Sequence, residues 1–203
     1  MRQPRGALER LGAWVRRSAD SLRAARGSVA LLLISLALIS APFARAATER
    51  LPVPQAGVPG FIAGMQQVPD PGLTYKVVFD VTSAGPLDRA HPALQEIARY
   101  LNALAEYGVP PIHRHLVVVV HGAATDFMLR DAAFASRHHG HSNPDASLIA
   151  AMKQAGVDFR VCGQAVLAKH IQPKQLLPQV QLDLWALSSL VNLQLEGYVR
   201  IPG

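Results

Sequence analysis

The chain has 203 residues, enough for one domain with appendages, and carries a formal charge of +6 with an isoelectric point near 10.0. The charge is unevenly spread: residues 1–46 hold eight arginines against Glu9 and Asp20, and residues 47–203 hold twelve bases against twelve acids. A body without net charge has no bulk attraction for phosphate, so no nucleic-acid partner is expected. The single cysteine, Cys162, excludes an internal disulfide.

Residues 1–46 have the three parts of a cleavable export signal. A basic stretch from Arg2 to Arg26 precedes an apolar run over 29–39, and Ala44-Arg45-Ala46 offers the small-x-small cleavage pattern. The apolar run is shorter than the roughly 20 residues that span a bilayer, so no stable membrane insertion is expected once the signal is removed; a retained anchor is the alternative. The expected location is an exported compartment, periplasmic in a Gram-negative bacterium. In such an oxidising compartment a lone thiol is buried, joined to another molecule, or reactive.

Residues 47–74 read as an N-terminal arm, because Pro52, Pro54, Pro59, Pro69 and Pro71 alternate with glycines. Phe61, Ile62 and Met65 are the residues expected to dock it. The domain proper is expected over 75–203. Its first strand is Tyr75-Lys-Val-Val-Phe-Asp-Val, β-branched and aromatic. A helix is predicted over 92–107, with Leu94, Ile97, Ala98, Leu101, Leu104 and Ala105 on one face, Pro92 at its first position and Gly108 just past its end. Residues 116–120, Leu-Val-Val-Val-Val, are apolar on both faces, as a central strand of a parallel sheet must be. His121-Gly122 leaves the carboxyl end of that strand.

A short helical piece is predicted over 125–129 and irregular chain over 130–142, which carries Arg137-His138-His139-Gly140-His141. Asn143-Pro144-Asp145 reads as a capped helix start, with Leu148, Ile149, Met152 and Ala155 buried and Gly156 closing the helix. The strand over 157–161 delivers Cys162 to its end, and a short helix follows over 164–169. A brief strand over 180–182, an apolar helix capped by Asp183 and ended by Gly197, and a last strand over 198–201 complete the chain. Strands alternating with helices at these spacings predict a single-domain α/β fold, a parallel sheet with helices on both faces.

Open sheets of this kind bind ligands outside the carboxyl ends of their strands. The ends here carry Thr82-Ser83, His121-Gly122 and Cys162-Gly163-Gln164. Cys162 has two readings. It is a thiolate favoured by the helix start that follows it, or it is a small buried hydrophobe. His121 either polarises Cys162 across neighbouring strand ends or is an ordinary histidine. His138, His139 and His141 could join a metal site, but their spacing matches no fixed zinc pattern, and no metal is assigned. Nucleotide motifs and a C-x-x-C pair are absent from the sequence, and no cofactor is implied.

Four segments together carry a family resemblance. They are Leu116-Val-Val-Val-Val-His-Gly-Ala, then Asn143-Pro-Asp with its helix to Ala155-Gly156-Val157, then Phe159-Arg-Val-Cys-Gly-Gln-Ala, then Leu190 through Leu195-Glu-Gly-Tyr198. They resemble the DsrE/DsrF-like sulfur-relay family over residues 75–201. The resemblance implies a compact α/β domain, a homotrimer or homohexamer, and a cysteine that accepts sulfane sulfur as a persulfide and passes it to protein or small-molecule acceptors. Cys162 is the matching position. The better understood members act in cytoplasmic heteromeric relays, from which an exported chain departs.

Three readings follow. The first is a sulfur carrier or sulfurtransferase in which the Gly163 and Gln164 N–H groups stabilise the sulfur of Cys162. The second is a non-catalytic oligomeric binding or assembly module in which Cys162 is core. The third is a metal-binding protein using the His138–His141 loop.

Overall fold

The structure is a computed structural model, and it describes residues 51–203. The expected export signal over 1–46 lies outside the described residues, as do the first residues of the arm.

Five strands form one parallel sheet: β1 (Tyr75–Val81), β2 (Arg114–Val120), β3 (Asp158–Cys162), β4 (Val180–Asp183) and β5 (Val199–Pro202), in the order β4-β3-β2-β1-β5. The helices are α1 (Pro92–Glu106), α2 (Asp131–Arg137), α3 (Ala146–Gln154), α4 (Gly163–Ala168) and α5 (Ala186–Leu195). This is the α/β fold that the sequence predicts.

Side chains alternate between the two faces of a strand, so the unbroken apolar run in β2 serves two cores at once. Leu116, Val118 and Val120 join the larger core beneath α1, α3 and α4, while Val117 and Val119 join a smaller one beneath α5; none of the five is more than 2 % exposed. Leu94, Ile97, Leu101 and Leu104 of α1 are each at most 2 % exposed, and full burial of such a side chain contributes about 1.5–3 kcal/mol. Pro92 starts α1, the His91 ring caps it by accepting from Ala93 N, and Gly108 leaves it at φ +80.

Four local expectations are corrected. Residues 130–142 are not all irregular, since Asp131–Arg137 is helical and buries Phe134. Asn143 does not cap α3 directly. Its Oδ1 accepts from Asp145 N at 2.9 Å and its Nδ2 donates to the Phe127 and Leu129 carbonyls, so it locks a turn ahead of the helix. Asp183 does not cap α5, which begins three residues later at Ala186. The arm is not docked by Phe61 and Ile62, which are 79 % and 72 % exposed. It is held by Val53, which is fully buried and whose N–H and C=O both bond the buried Asn102 side chain.

Candidate functional site

The direction in which each strand's connection leaves the sheet singles out one crevice. The helices after β1, β2 and β3 pack their apolar residues on the larger core, whereas α5, after β4, covers the opposite face. The connections therefore diverge between β3 and β4, and such a switch point is where open α/β sheets bind ligands. The last register pair across it is Cys162 with Asp183.

Cys162 is 4 % exposed and packs with Val119, Ala186 and Leu190. It stands at the N-cap of α4 but makes no side-chain capping bond there. Its Sγ lies on the α5 side of the sheet and accepts a hydrogen bond from Ala186 N at 3.3 Å. Ala186 is the first residue of the ten-residue α5, so the sulfur meets the donor-rich end of that helix.

Gly163 and Gln164, expected to donate N–H groups to the sulfur, have a different part in the geometry. A Cβ on Gly163 would stand 2.7 Å from the Asp183 carbonyl oxygen and 3.1 Å from that of Leu184, so only glycine lets the β4–α5 bend approach this closely. Gln164 Nε2 donates to the Leu184 carbonyl at 3.2 Å. The two residues hold the bend that carries Ala186 to the sulfur. A cavity of about 370 Å³ on the outer side of the bend is lined by Gly163, Gln164, Leu167 and Leu184, and Cys162 is not among its walls. Asp183 is fixed by Ser189 Oγ and Gln181 Nε2, each donating at 2.6 Å.

His121 follows Val120, and Cys162 follows Val161, the residue that pairs with Val120. The two therefore sit at matching strand ends on the same face of the sheet. The ring of His121 is nonetheless engaged elsewhere. Its Nε2 stands 2.8 Å from Asp80 Oδ1. Asp80 is 5 % exposed at its side chain and also accepts from Arg200, whose Nε lies 3.1 Å from Oδ2 and whose Nη2 makes a second contact. Asp80 and Arg200 escaped the sequence reading, although an acid inside the apolar run of β1 is a signal that something pairs with it.

The histidine loop does not gather into a cluster. His138 Nε2 turns inward to Asp126 Oδ2 at 3.1 Å and its ring lies 4.2 Å from that of Phe134, while His139 and His141 are exposed. Among the described residues no group of three or more His, Cys, Asp or Glu is placed to hold a metal ion. Burial alone would raise the Asp126 carboxyl, but Lys169 at 3.2 Å and Arg137 at 3.3 Å outweigh it and hold the group below its usual range.

Asp145 is fully buried; Oδ1 accepts from His91 N at 2.7 Å and Oδ2 has no partner. Burial pushes this carboxyl up to about 6 against the bond from His91. Among the described residues no helix is long and apolar enough to cross a membrane.

Residues 76–201 match the model of the DsrE/DsrF-like family. Among solved structures the chain is similar to a protein of unknown function, MTH1491, from Methanobacterium thermoautotrophicum. The identity is 20 % and the TM-score 0.49, and the match covers 64 % of this chain and 99 % of that one. No curated protein matches.

Proposed function

The chain belongs to the DsrE/DsrF-like family, and from that premise we propose that it is a sulfur-relay protein whose Cys162 carries sulfane sulfur as a persulfide. The observation that supports this most directly is the Ala186 N–H on Cys162 Sγ at the switch point of the sheet. A hydrogen-bond donor at a helix start stabilises sulfur that carries negative charge. In the forward step the Cys162 thiolate attacks the terminal sulfur of a donor persulfide. The donor's S–S bond breaks, the donor leaves as a thiolate, and the new S–S bond makes Cys162 a persulfide. No external oxidant is needed, because the oxidation level moves with the sulfur. In the return step an acceptor thiolate removes that sulfur and Cys162 leaves as thiolate.

His121 is the auxiliary group in this reading. Asp80 orients its ring through Nε2, which leaves Nδ1 as the nitrogen available to exchange a proton with sulfur species at the same end of the sheet. The donor and acceptor are protein thiols or small sulfane-sulfur compounds, and an exported compartment is part of the proposal, motivated by the arginine-rich, apolar leader. A homo-oligomer is part of the proposal. Leu184 in the bend before α5 and Leu187, Val191 and Leu195 along it are exposed by 77, 53, 44 and 82 % and form an apolar stripe, and the sequence of α5 contains no charged residue to oppose packing on a second copy.

The burial of Cys162 at 4 % favours one competing reading, an assembly module in which the cysteine is inert core. Intact-mass analysis after incubation with a polysulfide donor separates the two. The relay predicts a gain of whole sulfur atoms that reductant reverses and Cys162→Ala lacks. A protein that gains no sulfur and whose thiol is labelled only after denaturation is the module.

A further inference from the structure

A cavity of about 530 Å³ opens at the carboxyl ends of β1 and β5, between the sheet and the start of α1. That volume is within the range of small-molecule sites, roughly 300–1,000 Å³. It lies on the face opposite Cys162, since Phe79 belongs to the larger core and Cys162 to the smaller. Its body is apolar, with Phe79, Ile97, Tyr100 and Ile201 among its walls, and Phe79 and Tyr100 meet edge to face at 6.1 Å.

Hydrogen bonds tie together residues that line the cavity. The His91 ring uses both nitrogens, Nδ1 accepting from Ala93 N at 3.1 Å and Nε2 standing 2.9 Å from the Ser83 carbonyl. Gly203 N ties the segment after β5 to the Asp80 carbonyl at 2.9 Å.

The charge at the cavity is of one sign. Among the described residues Glu96 is the only lining carboxylate side chain, no lysine or arginine lines the cavity, and Glu96 has no hydrogen-bond or ion-pair partner. An anion would meet repulsion there, and a neutral guest would gain nothing from the carboxylate. An ammonium group answers it and also suits the face of the Tyr100 ring.

We propose that this cavity binds a small organic ammonium ion, a primary amine on an aromatic or branched apolar body. The body lies against Phe79, Ile97 and Ile201, and the ammonium sits at Glu96 and Tyr100.

Calorimetric titration of the full chain with phenethylammonium, 2-phenylethanol and 3-phenylpropionate tests this with three probes of similar shape. The ammonium is expected to bind at least tenfold more tightly than the alcohol, and the carboxylate more weakly than either. Glu96→Gln, at an exposed helix position, is expected to remove the preference for the ammonium and to leave alcohol binding within twofold. Ala84→Trp, placed in an exposed loop at the mouth, is expected to abolish binding of all three. Thermal melts establish that each variant is folded, and Glu96→Gln decides alone if Ala84→Trp is not. The proposal is overturned if no probe binds, if ammonium and alcohol bind equally, or if Glu96→Gln keeps the preference.

Discussion

The amide of Ala186 and the Sγ of Cys162 are 24 residues apart in sequence and 3.3 Å apart in space. They meet because Gly163 lets the backbone of Asp183 and Leu184 lie almost on top of it. Gly163→Ala therefore acts on the sulfur without touching it. The new methyl would need to displace two carbonyl oxygens, an overpacking cost of about 1–3 kcal/mol. In the proposed relay the sulfur accepts this bond as a thiolate, and moving the bend removes a hydrogen bond to a charged acceptor, worth about 1.5–3 kcal/mol and hence tenfold or more. Sulfur loading followed by mass spectrometry is expected to slow about tenfold in Gly163→Ala, and a variant that melts lower but loads at the wild-type rate would refute the link.

Gln164→Ala is the gentler version of the same change. It deletes a single exposed hydrogen bond to the Leu184 carbonyl and should lower stability by no more than about 1 kcal/mol. Its loading rate is expected to fall between those of wild type and Gly163→Ala. A chemical denaturation curve beside the loading assay checks both.

Asp80 and Arg200 should respond unequally to removal, although they form one pair. Arg200 is 48 % exposed at its side chain and Asp80 is 5 % exposed. Arg200→Ala leaves a buried carboxylate with His121 as its remaining partner, and about 3 kcal/mol is expected. Asp80→Ala removes the buried charge and leaves Arg200 and His121, 48 % and 32 % exposed at their side chains, where water can take its place, and is expected to cost roughly 1 kcal/mol. Urea midpoints that reverse this order would show that the buried Asp80 carboxylate does not depend on the Arg200 guanidinium.

The pH dependence of stability carries a signature from Asp145. Its carboxyl sits at about 6 in the folded protein against an ordinary 3.8. A raised acid binds its proton more tightly when folded, so this contribution is fully present below about pH 4. It is lost as pH rises through 6 and is flat above. The span corresponds to roughly 3 kcal/mol. Wild type and Asp145→Asn should therefore diverge in melting temperature between pH 4 and pH 6 and run parallel above it. Asp126, held below its usual range, works in the opposite sense: its contribution is present at neutral pH and fades on acidification below that range.

Asn102 should control the arm. It is fully buried and satisfies both backbone groups of Val53 and the Gly57 carbonyl. Asn102→Ala leaves a buried N–H without an acceptor, at a cost of about 1–3 kcal/mol. Limited proteolysis is expected to cleave the variant between residues 57 and 73 at least several-fold faster than wild type. Equal rates would mean that the arm is held by something other than Asn102.

Much of the fold was legible because it rests on patterns that local chemistry imposes. The valines of β2 can only be a strand buried on both sides, and the spacing from Leu94 to Leu104 can only be a helix with one wet face. Asp131–Arg137 escaped because two turns with Ala133 and Phe134 as their buried residues are too short to display a period. Within the site, the position of Cys162 at a strand end followed from the sequence around it. The identity of its hydrogen-bond donor did not, because Ala186 reaches it only through the order of β3 and β4. Asp183 had the composition of a cap but is the last residue of β4, where Ser189 and Gln181 occupy its carboxylate. Asp80 escaped although an acid inside β1 is a signal of a pair, and its partner Arg200 lies 120 residues away.

That last separation bears on the order in which the molecule can assemble. β1 is the first strand of the sheet to be synthesised, and it stays an open edge on one side until residues 199–202 arrive. Pairings between such distant segments close the longest loops and form late. Until they form, the inward-facing Asp80 has no guanidinium, so a chain emerging amino end first holds its sheet and the Asp80–Arg200 pair unfinished until β5 has emerged.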